Sequence, residues 1–190
     1  MVDITDVGVD LDGVIYPFAE AFHSYCRQRL GTPDLPAPVD WHFYRSWGIA
    51  DDEFARYLDD AFDDFNVFGV LPPEAGTADG WATLKALGVR IHVITHRPAS
   101  AWAQTAEWLR RWELVPDTLT FAKDKTLVSH FADPGRAAMV EDYVIAHDAL
   151  LQAGVHAVLI DRPWNEGHPG VRVRSFADFA THIHDLKGNP

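Results

Sequence analysis

Two carboxylates stand one residue apart where a short apolar stretch of the chain ends. Asp10 and Asp12 follow Val9 in the segment VGVDLDGVIY, and Gly13 comes next. Such a pair is either the solvated end of a strand, because Asp and Gly are common turn residues, or a set of groups placed for chemistry. Carboxylates at a strand end can attack an electrophile, hold a hard cation or move a proton.

Further polar side chains follow three later apolar runs. Because the carboxyl ends of parallel strands meet at one edge of a sheet, we expect these groups to meet the two aspartates. Close carboxylates repel one another unless a cation neutralises them, and Mg²⁺ is the usual cation where the substrate is a phosphate. The groups are Thr95 and His96 after VRIHVI, Lys125 (or its rival Lys123) after TLTFA, and Glu141 and Asp142 at the end of AAMVED.

This set of residue types predicts phosphoryl transfer through the protein. Asp10 would attack phosphorus and form an acyl phosphate that water later opens, with Mg²⁺ bridging Asp10 and a phosphoryl oxygen. Asp12 would protonate the leaving oxygen and then activate the water, since neighbouring carboxylates raise its pKa. Thr95 and Lys125 would hold phosphoryl oxygens, and Gly13 would let its backbone amide approach the phosphate.

Alternating strand and helix patterns must position these groups. Parallel strands need crossover helices, so the alternation predicts an α/β fold with a doubly wound parallel sheet covered on both faces. Apolar runs predict strands at DVGVD, VRIHVIT, TLTFA, AAMVE and HAVLID, and helical spacing of apolar residues predicts helices in TADGWATLKALG, ASAWAQTAEWLRRW and DYVIAHDALLQAG.

The stretch after the first strand interrupts this alternation. FAEAFHSYCRQRL and DDEFARYLDDAFDDF predict two amphipathic helices, with the acidic residues of the second on its solvated side. The aromatic stretch WHFYRSWG between them predicts a packing surface, to which Phe43 and Trp47 belong. We therefore predict a small helical cap at residues 17–76, inserted into an α/β core of residues 1–16 and 77–190.

The motifs DLDGV, VITH, DKT and VED resemble, in this order, the four motifs of the haloacid dehalogenase superfamily. Within it, the chain is most similar to the 5′(3′)-deoxyribonucleotidases. Those enzymes also have a small helical cap after the first motif, an aromatic residue shortly after DGV, as at Phe18, and an aromatic cluster like WHFYRSWG. The later segments VLIDRPWN and VRSFADF are similar to the C-terminal part of that family.

The resemblance implies a role for most of the site residues. Asp10 would be the nucleophile and Asp12 the acid and base, while Thr95 and Lys125 would hold the phosphate. Apart from the resemblance, the Gly13 amide and the His96 side chain are further candidates for contact with the phosphate. Mg²⁺ would be the cofactor, held by Asp10, the backbone carbonyl of Asp12, and the Glu141–Asp142 pair. Phe18 and Trp41 would contact the base of a nucleoside monophosphate.

Three features depart from that family. Glu141 stands where two aspartates are usual, so the direct Mg²⁺ ligand of the Glu141–Asp142 pair is left open. His96 and Arg97 follow Thr95 in place of a small residue, and the stretch from Lys125 to Glu141 is longer than in the family. These departures bear on the substrate rather than on the phosphatase core.

Three alternative functions remain open at this stage. The same chemistry can act on a sugar phosphate or another small phosphometabolite. The fold can also serve as a phosphate- or nucleotide-binding module without turnover. Dehalogenation is less favoured, because it needs neither a metal site nor a second aspartate like Asp12.

Composition excludes several partner classes. The net charge of −12 over 190 residues disfavours a nucleic acid polymer, whose binding depends on lysines and arginines that face phosphates. With Cys26 as the single cysteine there is no intramolecular disulfide. The ten histidines lack an H-E-x-x-H pattern. His92 lies in a predicted strand and is therefore expected to be a core histidine. No signal peptide or membrane span is expected, which predicts a cytoplasmic protein with a small phosphorylated substrate; a homodimer is an open assembly state.

Overall fold

The six strands of one parallel sheet carry the fold. In the computed structural model, which describes residues 3–31, 34–125, 131 and 133–188, the strand order is β3-β2-β1-β4-β5-β6 and each neighbouring pair is parallel. The doubly wound parallel sheet predicted from the sequence is confirmed. The strands are β1 (Asp6–Val9), β2 (Arg90–Thr95), β3 (Thr118–Phe121), β4 (Ala137–Glu141), β5 (His156–Ile160) and β6 (Arg172–Val173).

Six α-helices lie in the described ranges and accompany these strands. Five of them occupy segments where helical spacing predicts a helix, whereas the C-terminal one has no counterpart among the sequence-based predictions. They are α1 (Phe18–Leu30), α2 (Asp51–Phe65), α3 (Thr77–Ala86), α4 (Trp102–Arg111), α5 (Val144–Gln152) and α6 (Phe176–Gly188). No helix in the described ranges is both long and apolar enough to cross a membrane.

Alternate residues of the strands pack into different hydrophobic clusters. Ala138 and Val140 of β4 belong to a large cluster that also contains Phe176 of α6, whereas Met139 of the same strand packs with Leu150 of α5. Because successive strand side chains point to opposite faces, both faces of the sheet are covered. This burial explains why the strands are nearly continuous apolar runs in the sequence.

The order of the strands determines where the polar residues meet. The chain passes from β1 to β2 and β3 on one side and then crosses to β4 on the other side of β1. The strand order therefore reverses between β1 and β4, which in open α/β sheets is where ligands bind. Asp10 continues this pairing past β1, since its backbone N–H donates a hydrogen bond of 3.2 Å to the carbonyl of Val140.

A helical insert separates β1 from α3. It contains α1, a short 3-10 helix at Phe43–Trp47, and α2. Phe43 and Trp47 are buried, as expected for packing residues, and the ring of Tyr44 stacks on that of Phe54 at 4.0 Å. The aspartates of α2 lie on its exposed side. The boundaries of the cap at residues 17–76 remain a prediction.

Two stretches depart from the sequence-based picture or lie beyond it. β6 is a two-residue edge strand and therefore too short to show a periodic pattern. Residues 126–130 and 132, in the stretch predicted to be longer than in the deoxyribonucleotidases, lie outside the described residues.

His92 is the core histidine expected, because its ring nitrogens bond Asp6 and Thr118, each at 2.8 Å.

Candidate active site

The Asp10 carboxylate lies buried at the end of β1. Its residue is 5% exposed, and the ammonium nitrogen of Lys125 lies 2.7 Å from its Oδ1 atom. A carboxylate removed from water is costly unless a cation compensates its charge, and Lys125, itself buried, supplies that cation. Lys123 is exposed, so Lys125 is the lysine that joins the carboxylates.

Lys125 also pairs with the carboxylate that ends β4. Its Nζ atom donates a 2.8 Å hydrogen bond to Oε1 of Glu141, which is fully buried. Burial opposes the charge of Lys125, but the carboxylates of Asp10 and Glu141 outweigh it and raise the lysine pKa. Burial raises the pKa of Glu141 to about 8, against the opposing effect of Lys125.

One ammonium group does not balance the carboxylates in this cluster. Oxygen atoms of Asp10, Glu141 and Asp142 lie within 4.8 Å of one another. Burial, and next the charge of Asp10, raise the pKa of Asp142 well above its usual range. Glu141 Oε2 and Asp142 Oδ1 are buried and have no hydrogen-bond partner in the part of the chain that the structure describes.

These orphaned oxygens fit a hard divalent cation. Mg²⁺ binds carboxylate and carbonyl oxygens and keeps several waters, so a few protein oxygens at one cavity edge are sufficient. Each of the two carboxylates has one bonded oxygen, Glu141 to Lys125 and Asp142 to Trp164, and one orphaned oxygen, but only Asp142 of the pair borders the adjoining cavity. Asp142 is therefore better placed than Glu141 to bind the cation directly.

Asp12 is held by an arginine that the sequence analysis treated only as a departure from a family pattern. Arg97 donates from Nη2 to Asp12 Oδ1 at 2.6 Å and from Nε to Oδ2 at 3.0 Å. Its side chain is fully buried, while that of Asp12 is 25% exposed. Burial raises the pKa of Asp12, and the charge of Arg97 acts in the opposite direction.

Arg97 also connects the site to the end of the insert. Its Nη1 atom donates to the carbonyl of Phe68 and to the hydroxyl of Thr105 in α4, each at 3.0 Å. The guanidinium carbon lies 4.7 Å from the ring centroids of both Tyr16 and Phe68. A cation between aromatic faces is attracted by their π electrons, so Arg97 is fixed on several sides.

Thr95 is the last residue of β2, and His96 follows it. Thr95 is fully buried, and its hydroxyl oxygen accepts a 3.2 Å bond from the backbone N–H of Arg97, which leaves the hydroxyl proton free to donate elsewhere. His96 is exposed, and desolvation of its ring lowers its pKa, with a further contribution from the charge of Lys125.

The structure gives a reason for glycine at position 13 that differs from the one expected. The N–H of Gly13 donates to the carbonyl of Tyr16 at 2.9 Å, so this amide already has a partner within the loop. Its φ is +78°, and a Cβ atom there would lie 2.0 Å from Oδ2 of Asp142. Glycine is required because the turn and the Asp142 carboxylate occupy the space of a side chain.

A cavity of about 230 Å³ opens beside this cluster. Asp12 and Asp142 are two of its lining residues. Trp164, which also lines the cavity, donates a 3.0 Å hydrogen bond from Nε1 to Asp142 Oδ2. Trp41 stacks on Tyr143 with ring centroids 4.0 Å apart and is 36% exposed. The aromatic lining consists of Phe18, Trp41, Phe43, Tyr44, Phe54 and Trp164.

Most of the predicted site residues belong either to the buried carboxylate cluster or to the lining of the cavity. Asp10, Lys125 and Glu141 form the buried part of the cluster. Asp12 and Asp142 stand between that part and the cavity, whose insert side carries Phe18 and Trp41. The sequence analysis missed the roles of Arg97 and Trp164, and the one available signal was an arginine two residues after Thr95, which ends a strand.

Comparison with known proteins identifies the fold. No protein-family model and no curated protein sequence matches the chain. A haloacid dehalogenase superfamily hydrolase of subfamily IA from Geobacter sulfurreducens matches with a TM-score of 0.66 and 20% identity, covering 98% of this chain and 97% of that one. The shared architecture is the haloacid dehalogenase-like α/β fold.

Two further solved structures differ in chemistry on this same fold. A predicted phosphoglycolate phosphatase from Haemophilus somnus matches with a TM-score of 0.64 at 15% identity, covering 96% of this chain and 99% of that one. The L-2-haloacid dehalogenase from Xanthobacter autotrophicus matches with a TM-score of 0.69 at 12% identity, covering 98% and 100%. Since one fold carries both reactions, the reaction must be argued from the residues of the site.

Replacing Gly13 by alanine is expected to damage the site as well as the backbone. The new methyl group would collide with the Asp142 carboxylate, in addition to the cost of about 1 kcal/mol for a non-glycine residue at positive φ. Gly88→Ala is the matched control, because Gly88 also has a positive φ of +68° but a Cβ atom there meets nothing within 4 Å. Denaturant unfolding should show a larger loss of stability for Gly13→Ala, and equal losses would contradict the contact.

Neutralising the two carboxylates at the end of β4 should separate their roles in cation binding. We expect Asp142→Asn to weaken Mg²⁺ binding by more than about tenfold, and Glu141→Gln to weaken it less, because Glu141 pairs with Lys125. Mn²⁺ titration followed by electron paramagnetic resonance measures both affinities. The reverse order of the two effects would assign the direct ligand to Glu141.

Proposed function

We propose that this chain is a Mg²⁺-dependent phosphomonoester hydrolase that works through an aspartyl-phosphate intermediate on nucleoside or deoxynucleoside monophosphates. The observation that carries the proposal is the buried Asp10 carboxylate, paired with Lys125 at 2.7 Å within a carboxylate cluster that has orphaned oxygens. A structural ion pair does not explain these oxygens, because buried polar atoms ordinarily find a partner.

Asp10 is the proposed nucleophile. Lys125 holds one of its oxygens, which orients the carboxylate and leaves the second oxygen to attack phosphorus. The ammonium group and the Thr95 hydroxyl then stabilise the negative charge that builds up on the phosphoryl oxygens. Bound Mg²⁺ supplies the charge neutralisation that lets two anions, the carboxylate and the phosphate, approach each other.

Asp12 is the proposed acid and base. It borders the cavity, so its carboxyl group can reach the leaving oxygen of a substrate bound there. Burial raises its pKa and so favours the protonated form that a general acid needs. Arg97 fixes its orientation through two hydrogen bonds and disfavours the protonated form, so the balance between them sets how readily Asp12 gives up its proton.

The lining of the cavity supports a substrate with a planar apolar part. Base stacking on aromatic side chains is worth about 1–3 kcal/mol per base, and Trp41, which is 36% exposed, lines the same cavity as Asp12. A sugar phosphate presents hydroxyl groups that need polar partners, and the insert side of this cavity is largely aromatic. This contrast favours a nucleoside monophosphate over a sugar phosphate.

A screen with and without Mg²⁺ tests the proposal. Deoxynucleoside monophosphates, ribonucleoside monophosphates, sugar phosphates and a 2-haloacid should be compared. We expect Mg²⁺-dependent release of phosphate, fastest from a nucleoside monophosphate, and a loss of at least about 10³-fold in Asp10→Asn. Asp79→Asn, an exposed aspartate on α3, is the control and should keep full activity.

Each contrary result of this screen has a definite meaning. Faster hydrolysis of sugar phosphates would contradict the substrate class and keep the phosphatase. Nucleotide binding without turnover, unaffected by Asp10→Asn, would identify a binding module. Release of halide without Mg²⁺ would identify a dehalogenase. That reaction needs no cation and so would not explain the orphaned oxygen of Asp142.

Truncating Trp41 tests the stacking role by itself. Trp41→Ala should raise KM for a nucleoside monophosphate about tenfold, with little change for a sugar phosphate, because only the base loses its aromatic contact. Trp112→Ala is the matched control, since Trp112 is 41% exposed and does not border the cavity. Steady-state kinetics on both substrates gives the comparison, and an equal rise for both would contradict base stacking.

A further inference from the structure

We propose that His147, Asp148 and His168 form a second metal site, separate from the acidic cluster, for a borderline divalent metal such as Zn²⁺. His147 and Asp148 are neighbours in α5, and His168 lies between β5 and β6. His147 Nδ1 lies 2.9 Å and His168 Nε2 lies 2.8 Å from the same atom, Oδ1 of Asp148. One ligand atom from each residue falls within 4.8 Å of the other two.

The donor set selects the class of metal. Two imidazole nitrogens and one carboxylate oxygen are a common ligand set for Zn²⁺, whereas Mg²⁺ prefers oxygen donors alone. Zinc bonds of about 2.0–2.2 Å in a tetrahedron place ligand atoms roughly 3.3 Å apart. The separations of 2.8 and 2.9 Å are slightly shorter, so a small outward movement of the side chains makes room for the ion.

Packing directs the ligating nitrogen of His147. The residue is 1% exposed, and a Cβ atom at Gly170 would lie only 3.0 Å from its Cε1 atom, so the glycine backbone lies against that edge of the ring. His147 Nε2 faces this backbone and has no hydrogen-bond partner within the described ranges. Nδ1 is therefore the nitrogen available to a metal.

The other two ligands leave an open side. The side chains of Asp148 and His168 are 48% and 22% exposed, so an ion can enter from solvent and keep a water molecule as a fourth ligand. Hydrogen bonds alone would give a simpler site, in which one carboxylate oxygen accepts from both rings. The hydrogen-bonded arrangement predicts no affinity for a metal, so a measurement of Zn²⁺ binding distinguishes it from the proposed metal site.

Two other histidine contacts in the described part of the chain, one with an aspartate and one with a second histidine, lack a third ligand. His184 stands beside Asp185, as His147 stands beside Asp148, but at 3.4 Å and without a second imidazole. His156 and His182 approach to 2.8 Å between their Nε2 atoms, without a carboxylate that completes the set. These pairs provide matched controls.

A bound metal would connect α5 to the segment that supports the candidate active site. Arg172 donates from Nη1 to the carbonyl of His168 at 3.1 Å and from Nη2 to Asn165 Oδ1 at 2.7 Å. Asn165 in turn donates to the backbone carbonyl of Asp142 at 2.8 Å. The metal would therefore stabilise the loop that holds Asp142, without taking part in the reaction.

Equilibrium dialysis against Zn²⁺ with excess Mg²⁺ tests the proposal. We expect the wild-type chain to bind one equivalent, and His168→Ala and Asp148→Ala to weaken binding by at least about tenfold. His184→Ala, His182→Ala and Asp142→Asn should bind as the wild type does. Substitution by Co²⁺ should give visible absorption bands of an imidazole-ligated ion in the wild type, and these bands should be lost in His168→Ala.

Several outcomes would overturn the site. Wild-type protein that binds no Zn²⁺, or His168→Ala that binds it as tightly, leaves only the hydrogen-bonded cluster. Loss of binding in His182→Ala instead would move the metal to the other histidine pair, and loss in Asp142→Asn would move it to the acidic cluster. Circular dichroism is the check that each variant is folded, and the His168 side chain is 22% exposed, so its truncation should leave the fold intact.

Discussion

The ammonium group of Lys125 compensates only part of the charge that the sheet brings together. Placing β4 beside β1 puts Asp10 next to Glu141 and Asp142, because the carboxyl ends of adjacent parallel strands share one edge. Burial makes every uncompensated charge expensive. The ion pairs of Lys125 and the orphaned carboxylate oxygens follow from this one constraint, and so does the proposal that a further cation binds there.

Much of this arrangement could be predicted from the sequence, since it depends on local patterns. Apolar runs mark the strands that carry the site, and Asp10, Thr95 and Glu141 stand at or directly after their ends. Once parallel pairing is inferred from the intervening helices, convergence of these residues follows from topology alone. The edge strand β6 was not predicted, because two residues are too few to show a periodic pattern.

What could not be predicted depends on contacts between residues far apart in the chain. The partners of Arg97 are Asp12, the carbonyl of Phe68 and the hydroxyl of Thr105, and no spacing in the sequence relates them. The choice between Glu141 and Asp142 likewise depends on distant contacts, those of Lys125 with Glu141 and of Trp164 with Asp142. Expectations based on residue type therefore identified the carboxylates but not the groups that hold them.

The contact between Gly13 and Asp142 has a consequence for how this site can change over evolutionary time. Any side chain at position 13 would take the space of the carboxylate at position 142, so the two positions cannot vary independently. A larger residue at the first position is tolerable only together with a smaller one at the second, and that exchange removes the carboxylate proposed to bind the cation. Mutational effects at such a pair are not additive, so a lineage that loses this glycine also leaves the chemistry that the pair supports.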